Sequence, residues 1–120
     1  MAELPEPSPG APDPAATLAG PSPAAFHFGP AHLIMHGNAA FLAAFGAASV
    51  GLPAREAMTD LPRAAFELMD RVLREGRPLA RRVSTPAGER RFVVVPRRDP
   101  ETRETYGVAT HLRTEAPRRA

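Results

Sequence analysis

Four histidines, at positions 27, 32, 36 and 111, are the side chains of this 120-residue sequence that titrate near neutral pH and favour transition metals. His32 and His36 lie four apart. On a strand that spacing leaves them about 13 Å apart on one face. They would share an ion only within a helix, and Asn38 signals a helix that starts later. The expected metal set is therefore none. Ser49, Ser84 and Thr85 have no patterned His and acid to activate them, so nucleophilic catalysis has no visible machinery. Glu67, Asp70 and Glu75 read as the wet face of a helix. The Arg pairs 81/82, 90/91 and 97/98 are the conspicuous charge feature. On a hairpin they could line up and hold a phosphate or an acidic partner, or simply keep a sheet edge soluble.

Composition narrows the field. The chain has no Cys, which excludes disulfides, thiolate metal sites and thiol nucleophiles. All 15 basic residues are Arg, and the formal charge is only +2. That excess is a weak signal for nucleic acid, and no interleaved aromatic platform for single strands is visible. Seven of the 15 prolines fall in the first 23 residues, which predicts a disordered, extended tail there. The N-terminus has no basic residue and no continuous apolar core, so it is not a signal peptide. No window approaches the ~20 strongly apolar residues of a membrane span. The default expectation is a cytoplasmic protein with no membrane partner, folding over residues 24–113 between tails at 1–23 and 114–120.

The elements follow from periodicity. Ala24–Gly29 is a strand candidate with Phe26 and Phe28 on one side and His27 on the other. Gly29-Pro30-Ala31 turns into a second strand at His32, with the apolar run Leu33, Ile34 and Met35. Asn38 caps a short helix from Ala39 to Phe45, followed by Gly46. Ala54–Met58 makes about one helical turn. Thr59 and Asp60 before Leu61-Pro62 predict the start of the longest helix, running to Glu75 with Gly76 beyond it. Its apolar stripe is Ala65, Phe66, Met69, Val72 and Leu73, with Glu67–Arg71 and Asp70–Arg74 paired on the wet face. The period then changes to two: Leu79–Thr85, a turn at 86–88, Arg90–Pro96, a polar loop at 97–104, and a last strand from Thr105 to Arg113. The fold class is α+β: a five-stranded antiparallel sheet with a central block of short helices and one longer helix on one face.

The stretch around Asn38, Ala40, Phe41, Phe45 and Gly46 resembles the entry to a PAS domain. Val50-Gly51-Leu52-Pro53 and Leu73-Arg74-Glu75-Gly76-Arg77-Pro78 continue the resemblance, which covers about residues 25–113. It implies a sensory or regulatory module akin to those of bacterial signalling proteins, not an enzyme. A small ligand or a partner protein would bias the arrangement of sheet and helices, and the outer sheet face would pass the bias to an unknown signalling protein or a second copy. The pocket-lining set is Phe28, Phe41, Phe45, Phe66, Met69, Leu73, Phe92 and Val94, with His111 where some PAS domains carry a polar ligand contact. Those apolar residues equally suit a filled core, which makes a ligand-free interaction module the main alternative and a small α+β enzyme a further one. The cofactor is left open within limits. Cysteinyl-flavin chemistry is excluded because there is no Cys, and the helix at 62–75 lacks the His that haem-binding members use.

Overall fold

The computed structural model describes residues 20–114. Of the tails expected at 1–23 and 114–120, residues 1–19 and 115–120 lie outside the described residues. Residues 20–23 belong to the folded unit: the Leu112 amide donates to the Pro23 carbonyl, and the Asn38 side chain holds Gly20 and Ser22.

Five strands form one antiparallel sheet: β1 (Ala24–Phe28), β2 (Leu33–Gly37), β3 (Leu79–Thr85), β4 (Gly88–Arg98) and β5 (Thr105–Thr114). Their order is β2-β1-β5-β4-β3, so the N-terminal hairpin and the C-terminal meander meet at β1 and β5. The helices α1 (Ala39–Phe45), α2 (Ala54–Ala57) and α3 (Arg63–Glu75) lie between the two hairpins in sequence. This arrangement follows from the change of period: hairpin strands pair antiparallel, and amphipathic helices must cover an apolar sheet face.

The core confirms the pattern. Phe41, Ile34, Met58, Met69, Phe92, Val94 and Val108 are each at most 1% exposed. α3 buries Ala65, Phe66, Leu68, Met69 and Val72. It starts one residue later than expected because Pro62, with extended ψ, is its N-cap and not its first turn. Gly76 ends it in the left-handed region, where a Cβ is strained. Strand β4 runs on through Arg98 into the predicted loop, because Arg97 pairs with Gly107 and Arg98 with Thr105.

Asn38 ties the two halves of the hairpin region together. Its Oδ1 accepts from the Phe41 amide at 2.9 Å, capping α1, and from the Ala24 amide at 3.0 Å. Its Nδ2 donates to the Ser22 carbonyl at 2.8 Å. Asn38→Ala leaves these buried groups unpaired and is expected to lower stability by about 2 kcal/mol, measured as a shift of the urea midpoint. Asn38→Asp keeps the acceptor and should recover part of that loss.

The two sheet edges differ. β2 is sealed by the loop before α2: the Gly51 amide donates to the Ile34 carbonyl at 2.7 Å and the Ile34 amide to the Leu52 carbonyl at 2.9 Å, with a bridge between Leu33 and Pro53. β3 has no strand on its outer side among the described residues, and Arg81 and Arg82 project from it to opposite faces.

Candidate functional site

Apolar cores rarely hold unpaired imidazoles, yet His27 and His32 are both fully buried here. β1 turns His27 inward beside Ala25, and the turn after β1 brings His32 beneath it. The His32 carbonyl can only accept, so His27 Nδ1 donates to it, at 3.3 Å. Nε2 then accepts from the Thr110 hydroxyl on β5, at 2.9 Å. Burial is the largest cause that lowers the His27 pKa, to about 4; the His32 bond opposes it, and the charges of His32 and Arg97 add to it. His27 is therefore neutral at pH 7.

His32 extends the chain of contacts to the helices. Its Nε2 donates to Asp70 Oδ1 on α3 at 2.7 Å. Arg55 on α2 donates to Asp70 Oδ2 at 3.1 Å and lies 5.3 Å above the Phe66 ring. Burial alone would raise the Asp70 pKa, but the bonds from His32 and Arg55 outweigh it and hold the carboxyl below its usual range. Two features mark strain. His32 has φ of 56°, which costs a non-glycine residue on the order of 1 kcal/mol. Its Nδ1 is buried with no hydrogen-bond partner among the described residues. The result is a polar thread through the core: Thr110 on β5, His27 on β1, His32 in the turn, Asp70 on α3 and Arg55 on α2. It joins the sheet to the half-exposed surface at Asp70.

The expected site residues divide between the two sheet faces. Phe41, Phe66, Phe92, Val94 and Met69 are buried in the core, with Leu73 and Phe45 packed against it. Phe28 is not in that set. It is 49% exposed on the outer sheet face, 6.2 Å from the Tyr106 ring, because β1 presents His27 inward and its phenylalanines outward. His111 is also outside: it pairs with Ala24 and Val93, whereas its neighbour Thr110 faces in. Burial, and then the Arg113 charge, lower the His111 pKa. Asp70 leaves the predicted pair with Arg74 for His32 and Arg55; its helix instead carries Arg71–Glu75 at 3.4 Å. The sequence had marked Asp70 only as a solvated carboxylate, and its pairing across 38 positions has no local signal.

The outer sheet face gathers Phe26, Phe28 and Tyr106. The Arg97 guanidinium lies 4.1 Å over the Phe26 ring and 5.1 Å over Tyr106. Among the described residues, no group of three or more His, Asp or Glu is placed to hold a metal ion. No helix there is long and apolar enough to cross a membrane.

No family model and no curated protein matches the sequence. Solved structures do match. The VqmA receptor of Vibrio cholerae, bound to DPO, superposes with a TM-score of 0.63 at 16% identity, over 85% of this chain and 55% of that one. The fungal photoreceptor Vivid gives 0.59 at 14% identity, over 92% and 90%. An RNA-binding Light-Oxygen-Voltage receptor gives 0.62 at 15%, over 93% and 36%. The chain has the PAS fold. It spans about half the length of the VqmA chains that it matches. The PAS likeness carries the sheet order and the helix block; the buried histidine thread is read from this chain alone. Flavin adducts through a cysteine have no residue here to form them.

Proposed function

We propose that this PAS domain is a sensory or regulatory module of signal transduction, and that the polar thread is its coupling element. The carrying observation is the pair of fully buried histidines that links Thr110 on the sheet to Asp70 on α3. A polar chain in a low-dielectric interior has few alternative arrangements, so a change at one end biases the other. A ligand or partner that engages Asp70 or Arg55 would loosen His32 from α3. The backbone at His32 would then release His27, and β1 and β5 would shift together. The module has no catalytic role in this reading.

NMR tests the coupling. Asp70→Asn is expected to move the His27 ring and Thr110 amide resonances, while Glu67→Gln on the exposed side of α3 leaves them in place. Perturbations that stop at His32 would break the reading. Arg55→Ala, at a half-exposed pair, should cost under about 1 kcal/mol.

A second reading has its own support. Phe41, Phe92, Ile34, Met58 and Met69 are all fully buried, which suits an interaction module that holds no small molecule. Native mass spectrometry separates the two: a retained molecule favours ligand sensing, and a bare mass favours partner sensing. VqmA is known in a complex with DNA, and the Light-Oxygen-Voltage receptor binds RNA, but the match covers 45% and 36% of those chains. A nucleic-acid partner therefore stays open for the protein as a whole, against the expectation from charge.

A further inference from the structure

The C-terminal end of α3 gathers more positive charge than the fold uses. Arg71, Arg74 and Arg77 all turn to one carboxylate, that of Glu75. Arg71 Nε donates to Oε2 at 3.4 Å, Arg74 Nη2 stands 3.9 Å from the same oxygen, and Arg77 Nε donates to Oε1 at 3.0 Å. A fourth guanidinium comes from the sheet: Arg98, the last residue of β4, donates to the Gly76 carbonyl. All four arginines and Glu75 are exposed. None of the four has a further carboxylate partner among the described residues. Two other acids near them in sequence are engaged elsewhere. Asp70 is held by His32 and Arg55, and Asp99 accepts from the amides of Glu101 and Thr102. The helix end explains only part of this gathering. C-terminal carbonyls favour a nearby cation, and Arg98 on Gly76 answers that need. The other three share an anion of one charge and two oxygens, which cannot satisfy three guanidinium forks. Desolvation alone would raise the Glu75 pKa, but the Arg71 bond and the charges of Arg71 and Arg77 outweigh it and hold the carboxyl below its usual range.

We propose that Arg71, Arg74, Arg77 and Arg98 form a binding site for a dianionic phosphate group, free or carried by a small phosphorylated molecule, and that Glu75 is the resident stand-in which the phosphate displaces. The match is one of charge and of acceptor number. A phosphate monoester carries nearly two charges at neutral pH and three strong acceptor oxygens. Guanidinium forks bind such oxygens through paired hydrogen bonds. Moving Glu75 aside costs little, because exposed ion pairs are weak. A carboxylate from a partner protein fits less well. It offers the same single charge and two oxygens as Glu75, which is already tethered at high effective concentration. The convergence of the arginines on one point also suits a compact anion better than an extended acidic chain.

The test is an NMR titration of the isotope-labelled full chain at constant ionic strength, with inorganic phosphate and, separately, phenyl phosphate. The expected shifts are at the amides of residues 74–77 and at the Nε–H groups of Arg71, Arg77 and Arg98. The double variant Arg74→Gln/Arg77→Gln should bind at least about tenfold more weakly. Glu75→Gln removes the competing carboxylate and should bind several-fold more tightly. Both variants change exposed side chains, and an unchanged urea midpoint shows that they fold. Tighter binding of phenyl phosphate assigns the site to a phosphorylated molecule, and equal binding assigns it to the free ion. Four results would overturn the site: the same shifts with sodium chloride, undiminished binding by the double variant, no gain in Glu75→Gln, or tighter binding of a Glu-rich peptide or a short DNA duplex at these residues. None of them touches the Asp70-to-Thr110 coupling, which uses none of these arginines.

Discussion

Gly107→Ala is expected to destabilise the fold by about 3 kcal/mol. An ideal Cβ at Gly107 would stand 2.1 Å from the His27 carbonyl oxygen and 3.1 Å from the Phe28 Cα. These are backbone atoms of β1, so no rotamer change relieves the overlap. β1 would have to move away from β5. That movement would stretch the bond from the Gly29 amide to the Tyr106 carbonyl, now 2.8 Å, and the Thr110–His27 contact. The typical stability of a domain is about 5–15 kcal/mol, so one methyl group would remove a large part of it. Urea unfolding gives the value. A loss below about 1 kcal/mol would mean that β1 and β5 are further apart than described. Because the same strands carry His27 and Thr110, the residual folded protein should also show a displaced His27 ring resonance.

Stability should also fall steeply in mild acid, and His27 should be the main reason. Its pKa is about 4 in the folded chain, against 6.5 when unfolded. Between those values the unfolded state binds a proton that the folded state does not. Stability is therefore complete above pH 6.5 and declines as pH falls toward 4. A displacement of this size corresponds to about 3 kcal/mol. His111 is lowered as well and acts in the same direction. Asp70 is held below its usual range, so its contribution is lost only at still lower pH, as the carboxylate protonates. The charged groups that act on His27 are His32 and Arg97, and both favour its neutral form by charge. Urea midpoints measured from about pH 7.5 to about pH 4.5 should follow this curve. His27→Gln should be less stable at neutral pH and should flatten the acid slope. An unchanged slope in that variant would place the acid sensitivity elsewhere.

Local signals were readable where one residue decides. Asn38 announced the first turn of α1, and β3 and α1 have the bounds that periodicity implied. Phe92 and Val94, two apart on β4 and both in the expected apolar set, lie together on the buried face. What escaped were choices between faces and pairings across distance. On β1, alternation separates His27 from Phe26 and Phe28 but does not say which side is wet. Hydrophobicity alone favours the phenylalanines inside. The extra residue at Met35, opposite the Phe26–His27 step, and the hydrogen-bond partners waiting at Thr110 and His32 reverse that preference. Asp70 looked like any carboxylate on a wet helix face. Its true partner is set by the turn at His32, which only the folded chain brings near. The start of α3 was misassigned by one residue because Pro suits both the N-cap and the first turn, and here its extended ψ puts it at the cap.

The unequal sheet borders limit how copies of this domain can stack. Backbone pairing with another chain needs a bare row of amides and carbonyls, and the loop at 51–53 already occupies one such row. Among the described residues, only the β3 side is left for growth. Residues 20–114, with one open border, can close into a pair, strand against strand, and do not by this route propagate into a fibre. The arginines along that side add repulsion between two identical copies, so pairing by this route should strengthen as salt screens them.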